Sequence, residues 1–312
     1  MFSINTFLEI NFYQYAFFYF LGFIIFYILD NYIFANNKSK IKLCIFWENE
    51  KEKLEKSKEI YKKEFERMPN INKFYLVIGL GGVGSKVVMD LIRAGVKKIK
   101  VIDYDLVTLS SLNRHSFAIR SDVGKFKAGL IKEYTKEARP DIIIEHIEEP
   151  LLENNLKRMI LKDKPDIIVD CIDDLNTKAD LHIFANLNKL TIISSMGAAG
   201  KCDPTTIRYS KFNGIKGDIL CKRLRYAIRK KIKEKKEDKN NSFNSDIPNF
   251  DCVYSFEKNK RELAELDEEK IDDIKNLKIN FNERIRSLPV FACMPSSFGH
   301  FLSSLSIQLT NI

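Results

Sequence analysis

The chain has 312 residues, a formal net charge of +9 and an apolar content of 45%. This length suits one large domain or two small ones, and the apolar content is sufficient for a globular core. The six cysteines occur singly and form no CxxC pair, which argues against a four-cysteine zinc site and, in a cytosolic protein, against disulfides.

The first feature along the chain is an uncharged run of twenty residues, from Ile10 to Leu29. This is the length that one helix needs to span a bilayer. A cleaved signal peptide would begin with basic residues, whereas the first nine residues contain no Lys or Arg and aromatic side chains fill the run. An amphipathic or buried helix is also disfavoured, because no face of the run is polar. We therefore predict an N-terminal membrane anchor, a transmembrane helix, in residues 1–36.

Basic residues follow the anchor but do not precede it, with lysines at Lys38, Lys40 and Lys42. By the positive-inside rule, this asymmetry predicts a single-pass topology in which the body faces the cytosol. Residues 37–72 are then predicted to be a charged helical linker, since residues 47–68 are rich in charge and lack Gly and Pro.

A nucleotide-binding pattern begins at Val77, in "VIGLGGVGSKVVMDLIRAGVKKIKVIDYD". It consists of an apolar strand, a glycine-rich turn, a helix, a second strand and an acid, Asp103. The glycines of the turn are Gly79, Gly81, Gly82 and Gly84. They allow a tight turn and the close approach of a phosphate to the helix N-terminus, while the acid suits ribose hydroxyls. A turn needed only for packing is the weaker interpretation, and a dinucleotide and ATP remain equally open here.

Strands and helices alternate after this turn. The patterns predict strands at 74–79, 98–103, 141–147, 166–171 and 190–195, and helices near 82–94, 125–138, 151–161 and 175–188. This alternation predicts an α/β fold with a Rossmann-like, doubly wound, mostly parallel sheet. Ligands of such sheets bind at the carboxyl ends of the strands, where Asp103 and Asp173 are expected.

Three charged residues at predicted strand ends favour ATP over a nicotinamide cofactor. They are Arg114, Lys127 and Asp173. An adenylating enzyme must stabilise negative charge that spreads over the α-phosphate and the departing pyrophosphate, and Arg and Lys suit that task. A carboxylate can hold Mg²⁺ across the phosphates. The four histidines show no spacing typical of metal ligands and are expected to be packing or surface residues.

A basic segment follows the predicted sheet. Residues 201–240 contain 14 Lys or Arg against 5 Asp or Glu, a net charge of +9 that equals that of the whole chain. An apolar stripe at four-residue spacing predicts a helix; it comprises Leu220, Leu224, Ile228 and Ile232. An ordinary solvated helix face would mix charges of both signs, so the excess of one sign favours a polyanion or an anionic membrane surface as partner.

Four motifs of the sheet region resemble the ThiF/MoeB-type adenylating enzymes, which share their fold with ubiquitin-activating enzymes. The motifs are "GLGGVGS", "DYDLVTLSSLNRH", "VGKFKA" and "DCIDD". The segments "SSMGAAGKCDPTTI", "DILCKRLRYAIRKK", "FDCVYSFE" and "LPVFACMPSSFGHFLS" resemble one branch, the tRNA threonylcarbamoyladenosine dehydratases in their membrane-anchored fungal form. The resemblance extends over about residues 74–310 and implies that residues 73–312 form one ATP-binding catalytic domain.

The resemblance also implies roles for individual residues. Gly82 would lie against the phosphates of ATP and Asp103 would bind the ribose, while Asn113 and Arg114 would contact the phosphates. Lys127 would stabilise the α-phosphate during transfer, and Asp173 would hold Mg²⁺. Within the basic segment, residues 201–260, the cations expected to bind tRNA are Arg223, Arg225, Arg229 and Lys230.

The reaction implied by the resemblance is ATP-dependent cyclisation of threonylcarbamoyladenosine beside the tRNA anticodon, through adenylation of the threonine carboxylate. The family further implies a homodimer and, for this branch, the mitochondrial outer membrane. One departure concerns the segment ahead of the glycine turn, which offers only Arg67 where the family usually carries an arginine that reaches the partner's nucleotide.

Three alternative functions remain at this stage. The chain could be an activating enzyme for a ubiquitin-like protein or sulfur carrier, although no cysteine clearly matches a thioester position and the zinc cysteines of many sulfur-carrier enzymes are missing. It could be a non-catalytic membrane scaffold, although the presence of Arg114, Lys127 and Asp173 together argues against that. The third alternative is an NAD-dependent reductase.

Cys171 is expected to be a packing residue, and a thiol role for Cys252 is the weaker interpretation.

Overall fold

A computed structural model describes residues 72–237, 246–258, 264–265, 286–287 and 290–310. A seven-stranded sheet forms the centre, with strand order β3-β2-β1-β4-β5-β7-β6. The strands are β1 (Phe74–Ile78), β2 (Lys98–Ile102), β3 (Ile143–Ile147), β4 (Ile167–Asp170), β5 (Ile192–Ser195), β6 (Ile207–Lys211) and β7 (Asp251–Ser255). All neighbours are parallel except β6 and β7. Ala264–Glu265 and Arg286–Ser287 pair separately as β8 and β9.

Helices cover both faces of this sheet. They are α1 (Gly82–Ala94), α2 (Lys127–Ala138), α3 (Leu175–Leu187), α4 (Ile219–Glu237) and α5 (Cys293–Leu309). Because successive side chains of a strand point to opposite faces, Tyr75 and Val77 pack with α1, α2 and α5, whereas Leu76 and Ile78 pack with α3 and α4. β1 is buried on both faces, which explains its uninterrupted apolar sequence.

The predicted doubly wound, mostly parallel sheet is confirmed, as are its first five strands and the helices α1, α2 and α3. The segment predicted as a helix at 151–161 contains two short helical turns instead, at Glu153–Asn155 and Lys157–Leu161. The prediction did not include the strands β6 and β7, the short pair β8 and β9, or the helix α5. The sheet is therefore larger by two strands than the alternating pattern indicated, and one of them runs antiparallel.

The predicted anchor in residues 1–36 and the linker in residues 37–72 lie outside the described residues, apart from the last position of the linker. Among the helices that the structure describes, none has the length and the apolar content to cross a membrane. The anchor thus stays a prediction.

The sheet reverses its winding between β1 and β4. From β1 the chain winds outward through β2 to β3, and it then returns to the other side of β1 to form β4 and β5. This topology leaves a crevice at the carboxyl ends of β1 and β4, because the connections after them leave in opposite directions. The glycine turn follows β1 and Asp173 follows β4, so the fold places both at this crevice.

α5 lies against α1 at a close crossing between Gly299 and Lys86. A Cβ at Gly299 would stand 2.6 Å from Lys86 Cβ and 2.9 Å from the carbonyl oxygen of Val83. Atoms this close must move apart, and a backbone oxygen cannot move without disturbing the first turn of α1. A small residue at 299 is therefore required for α5 to pack on the helix that follows the glycine turn.

We expect Gly299→Ala to destabilise the protein by about 1–3 kcal/mol through overpacking at this crossing. The higher helix propensity of Ala would act in the opposite direction by about 1 kcal/mol, so a destabilised variant isolates the packing effect. Chemical unfolding of the full chain measures the change, with the exposed Ser304→Ala on the same helix as the control. Equal or greater stability of Gly299→Ala would show that the two helices separate without cost.

Candidate active site

Two glycines bring the turn after β1 into tight contact with its surroundings. Gly79 has φ +85°, and a Cβ there would lie 2.8 Å from the Cys171 carbonyl oxygen. A Cβ on Gly84 would stand only 1.8 Å from the Gly79 carbonyl oxygen. Glycine is thus required at both positions for packing alone, since one allows the left-handed turn and the other lets α1 approach it.

The other two glycines of the turn differ in what they face. A Cβ on Gly82 would meet Pro295 and Arg114 at 2.9–3.1 Å, so this glycine makes room for the arginine side chain. A Cβ on Gly81 would meet no protein atom within 4 Å. Of the four glycines, Gly81 is therefore the one whose Cβ side opens to space that a ligand can enter.

The N-terminus of α1 is suited to an anion. Gly81 is its N-cap residue, no side chain caps it, and its first turn contains no acid. The first intrahelical bond runs from Ser85 N–H to Gly81 C=O over 3.0 Å, so the preceding N–H groups have no helical acceptor. These groups and the helix dipole create a positive potential at the crevice.

Asp103, the acid predicted to bind ribose, fastens the glycine turn to the end of β2. Its Oδ2 accepts a hydrogen bond from Leu80 N–H at 2.5 Å and its Oδ1 accepts one from Asp105 N–H at 2.7 Å. Burial raises the pKa of Asp103, while the Lys127 ammonium acts in the opposite direction. Each carboxylate oxygen retains a second lone pair, so the side chain can hold the turn and still accept from a ligand.

Lys127 is the first residue of α2, and its side chain is mostly buried. Its Nζ lies 2.8 Å from Oδ2 of Asp105, whose side chain is 47% exposed. A cation at a helix N-terminus opposes the helix dipole and is unfavourable unless an anion compensates it. Asp105 supplies that anion in the structure, and its exposure leaves it able to move aside for a phosphate.

Arg114 and Asp173 lie close together, but the prediction that both stand at strand ends is wrong for Arg114, which lies twelve residues after β2, behind the helical turn Leu109–Ser111. The Nη1 of Arg114 donates to the Ser110 carbonyl oxygen at 2.7 Å and to Oδ1 of Asn113 at 2.9 Å. Burial lowers the pKa of Arg114, while the nearby Asp173 carboxylate raises it. Asp173 itself is exposed. Asn113 thus supports the guanidinium directly.

His115 is a buried neighbour of this charge cluster that the sequence did not single out. Its Nδ1 accepts from the backbone N–H groups of Phe117 and Ala118. Burial, followed by the charges of Lys127 and Arg114, lowers its pKa to about 4, so the imidazole is neutral near pH 7. Its Nε2 is buried and has no hydrogen-bond partner among the described residues. The histidine therefore adds no further positive charge beside the two cations.

A buried ion pair holds the turn that carries Asp173. Asp170 and Lys178 are both fully buried, with the ammonium 2.7 Å from the carboxylate. Ile172 N–H donates to Oδ1 of Asp170, and Lys178 Nζ donates to the Ile172 carbonyl oxygen, each at 3.0 Å. The pair therefore clamps both backbone groups of Ile172, the residue immediately before Asp173.

Two further side chains complete the environment of Asp170. Ser194 Oγ and His182 Nε2 each donate to its Oδ2 at 2.7 Å. Burial alone would raise the pKa of Asp170, but Lys178 and His182 hold it below its ordinary value. His182 was expected to be a packing or surface residue, and it is indeed buried, stacked on Phe250 with ring centroids 3.5 Å apart.

Cys171 and Cys252 are poorly suited to nucleophilic chemistry. Desolvation raises the pKa of Cys171 and of Cys252, so both remain protonated near neutral pH. Cys171 packs against the glycine turn and Cys252 is fully buried in β7. The expected packing role of Cys171 agrees with this environment, and the weaker suggestion of a thiol role for Cys252 receives no support.

The basic residues of α4 divide into two groups. Arg225 is partly buried, and its Nη2 donates to the carbonyl oxygens of Phe212 and Ile215. Its guanidinium therefore fixes the loop before α4, so one of its nitrogens is already engaged, and its role in tRNA binding stays a prediction. Arg223, Arg229 and Lys230 are exposed, as a binding role requires. The predicted apolar stripe packs inward, with Leu224, Ile228 and Ile232 buried and Leu220 partly buried.

Within the described residues, no group of three or more His, Cys, Asp or Glu side chains is arranged to hold a metal ion. A cation at this crevice would therefore need ligands from a bound molecule in addition to Asp173. Mg²⁺ is commonly held in that way, by one or two carboxylates and the phosphates of a substrate.

Comparison with known proteins gives relatives of more than one kind, among them tRNA threonylcarbamoyladenosine dehydratases and, over a smaller part of this chain, adenylyltransferase and sulfurtransferase UBA4 proteins. tRNA threonylcarbamoyladenosine dehydratase 2 of Saccharomyces cerevisiae is 40% identical over 237 residues, which are 73% of this chain and 49% of the relative. The dehydratase of Haemophilus influenzae is 32% identical over 49% of this chain and 59% of its own length. That of Escherichia coli is 29% identical over 58% and 65%. The chain thus spans about half to two thirds of the length of these three dehydratases.

A solved structure shares the fold. The crystal structure of E. coli TcdA in complex with ATP superimposes with a TM-score of 0.61 at 24% identity, covering 78% of this chain and 87% of that one. The sequence also matches the model of the ThiF family over residues 56–308, which is most of the chain. The chain belongs to the ThiF family.

Proposed function

We propose that this protein is an ATP-dependent tRNA threonylcarbamoyladenosine dehydratase. The observation that carries the proposal is the convergence of Lys127, Arg114 and the uncapped N-terminus of α1 on the crevice beside Asp173. The names of the yeast and bacterial relatives supply the substrate class. In this reaction the threonine carboxylate attacks the α-phosphorus of ATP and pyrophosphate leaves. The carbamoyl group then attacks the activated carbonyl carbon, and AMP leaves as the ring closes.

The positive groups of the site match the charge that develops during adenylation. Negative charge grows on the α-phosphate and on the departing pyrophosphate, and preorganised cations in a partly buried site stabilise it most effectively. Lys127 is positioned by the start of α2 and by its ion pair with Asp105, and Arg114 is positioned by its hydrogen bonds to Ser110 and Asn113. Both side chains are therefore oriented before ATP binds.

Asp173 suits Mg²⁺ in chemistry and position, since it is an exposed carboxylate at the carboxyl end of β4, beside Arg114. When bound, Mg²⁺ would neutralise part of the charge of the leaving pyrophosphate. The clamp on Ile172 limits where Asp173 can move. Asp103 and Gly81 would receive the ribose and the phosphates.

Ring closure requires no protein nucleophile. The two reacting groups belong to the same modified nucleoside, so their proximity within the bound substrate supplies much of the rate. The raised pKa values of Cys171 and Cys252 agree with this route and disfavour transfer of the adenylated group to either thiol.

The proposal extends to the setting of the enzyme. It includes tRNA bound at exposed cations of α4, a homodimer, and a single-pass anchor in residues 1–36 that holds the body on the cytosolic side of the mitochondrial outer membrane. Exposed apolar side chains at Leu106, Leu109 and Phe126, on the segment beside the site, support a second copy as partner. Arg67 lies outside the described residues.

We expect wild-type protein to convert threonylcarbamoyladenosine in tRNA, with ATP, into a nucleoside lighter by one water, together with AMP and pyrophosphate. Lys127→Ala should slow turnover by about a hundredfold, as for loss of a preorganised charge-stabilising group, while ATP binding weakens much less. Lys125→Ala is a matched control, because it removes an exposed lysine of the same loop that pairs with Asp122 and Glu133. Nucleoside mass spectrometry and single-turnover kinetics measure the effects. Water loss without ATP, or at the wild-type rate in Lys127→Ala, would contradict the proposal.

Lys178→Met should destabilise the protein by about 3–5 kcal/mol, because it leaves the buried Asp170 carboxylate without its cation. If the clamp positions Asp173, turnover per folded molecule should fall at least tenfold and demand more Mg²⁺. Ser194→Ala is the control, since it removes a donor to the same carboxylate but leaves both bonds to Ile172 intact. It should lower stability without changing the Mg²⁺ requirement. A normal Mg²⁺ titration curve for Lys178→Met would restrict this pair to a role in stability.

The predicted anchor has its own test. Since a transmembrane helix is held by burial of about twenty apolar residues, we expect the full chain to remain in the membrane pellet after washing at alkaline pH. Variants that lack residues 1–36 should be released into the supernatant. Release of the full chain to the same extent as a peripheral control protein would exclude the anchor.

A further inference from the structure

Tyr226 stands out on α4 because its ring lies in solvent. Its side chain is 72% exposed, more than any other large apolar side chain in the part of the chain that the structure describes. Within the described residues, Tyr226 takes part in no side-chain hydrogen bond, aromatic pair or cation–π contact. An aromatic ring in this position contributes nothing to the core, in contrast to Leu224, Ala227 and Ile228, which follow the buried face of the same helix.

Four exposed cations surround this ring. Lys222 and Arg223 precede Tyr226 by four and three residues, and Arg229 and Lys230 follow it by three and four. Residues at these spacings are neighbours on a helix surface, so two cations lie on each side of the ring along the helix axis. We call this group of five residues the tyrosine cluster.

The cations of the tyrosine cluster are poorly neutralised. Among the described residues, Lys222, Arg223 and Arg229 have no carboxylate within salt-bridge distance, and Lys230 has one at 3.8 Å, Glu234. By contrast, Lys231 pairs with Asp180 at 2.9 Å and Lys235 pairs with Glu153. The helix therefore anchors its inner cations to the protein and leaves the outer ones to another partner.

The cluster begins close to the crevice. The Cβ of Leu220, in the first turn of α4, lies 3.6 Å from where a Cβ on Gly197 would be, and Gly197 is the second residue after the carboxyl end of β5. A buried salt bridge of 2.8 Å between Lys201 and Asp218 holds the chain immediately before the helix. The N-terminal half of α4 thus starts from the same edge of the sheet as the candidate active site.

We propose that Tyr226 stacks on an unpaired base of bound RNA, while Lys222, Arg223, Arg229 and Lys230 hold the phosphates on either side. This inference rests on the proposed function and assigns to α4 a preference for single-stranded loops over duplex. Base stacking on an exposed aromatic ring needs a base that has left its own stack, which a paired region does not offer. The cations alone would bind a single-stranded loop and a duplex alike, because both present phosphates and phosphate contacts do not read the bases.

An anionic lipid surface is the other partner with this charge. A helix that lies in a membrane interface buries a continuous apolar face between the headgroups. Around Tyr226, the four neighbours at helical spacing are all cationic, and the apolar face of α4 is occupied by the protein core. The cluster therefore lacks the aliphatic surface that lipid insertion requires, and RNA is the better match.

The test compares an RNA hairpin with a seven-nucleotide unpaired loop and a blunt RNA duplex of equal phosphate number, both titrated against the full chain. Tyr226→Ala should weaken hairpin binding about tenfold and leave duplex binding unchanged, whereas Tyr226→Phe should bind both as the wild type does. The slope of log K against log salt should be unchanged in Tyr226→Ala. Arg223→Ala and Arg229→Ala should each reduce that slope by about one.

Two outcomes would overturn the inference. One is hairpin binding by Tyr226→Ala at wild-type strength in protein that dehydrates tRNA normally, which would leave the proposed function intact. The other is loss of binding to vesicles with phosphatidylserine in Tyr226→Ala while RNA binding persists, which would assign the ring to lipid. A failure of the proposed function would differ from both, because the wild-type protein would then show no ATP-dependent water loss from the nucleoside.

Discussion

The buried ion pair between Asp170 and Lys178 is the interaction on which the candidate site depends. It lies under the crevice, with both side chains fully buried. The ion pair fixes Ile172 and therefore the turn that includes Cys171. The carbonyl oxygen of Cys171 packs against Gly79. Gly79 in turn sets how closely α1 approaches, through Gly84. One ion pair thus supports the position of the glycine turn and that of Asp173.

The Asp170 carboxylate is also linked to the basic helix α4 through stacked aromatic rings. His182 donates to Asp170 and stacks on Phe250, which stacks on Phe212 with ring centroids 4.4 Å apart. The carbonyl oxygen of Phe212 then accepts from Arg225 of α4. An apolar pair would avoid the desolvation of two charges, but it could not donate to and accept from the backbone of Ile172. Orientation of the turn is what the charged pair supplies.

Patterns local in sequence predicted most of the sheet, while pairings distant in sequence were beyond them. The first five strands follow from apolar runs, and α1 begins at Gly82 as its glycine turn indicates. β6 carries exposed and charged residues, Arg208 among them, because it is the antiparallel edge strand. β7 is an inner strand, but it is short and begins with the charged Asp251, so its sequence lacks an apolar run. Their pairing becomes visible only when distant segments meet.

The site shows the same division. Arg114 was expected near Asp173 because both were assigned to strand ends, whereas the loop after β2 is what brings Arg114 there. A carboxylate at a strand end has the same sequence signature whether it binds ribose or backbone, so the structural role of Asp103 was not foreseen. Arg225 could have been separated from the exposed cations by helical phase, since it follows buried Leu224 and stands four residues after buried Cys221. An acid at the end of the apolar β4, Asp170, also signalled that a buried partner was needed.

The electrostatics of the crevice explain why its acids lie where they do. Positive charge is concentrated in a partly buried space by Lys127, Arg114 and the N-terminus of α1. The mutual repulsion of these groups would destabilise the fold if no negative charge balanced it. Asp105 faces Lys127 and Asp173 faces Arg114, while the depressed pKa of His115 keeps that ring neutral. The balancing acids are the exposed members of their pairs, and the cations are the more buried ones. An anion entering the crevice can therefore displace Asp105 from Lys127 without moving the lysine, so the groups that stabilise charge remain in place before and after it binds.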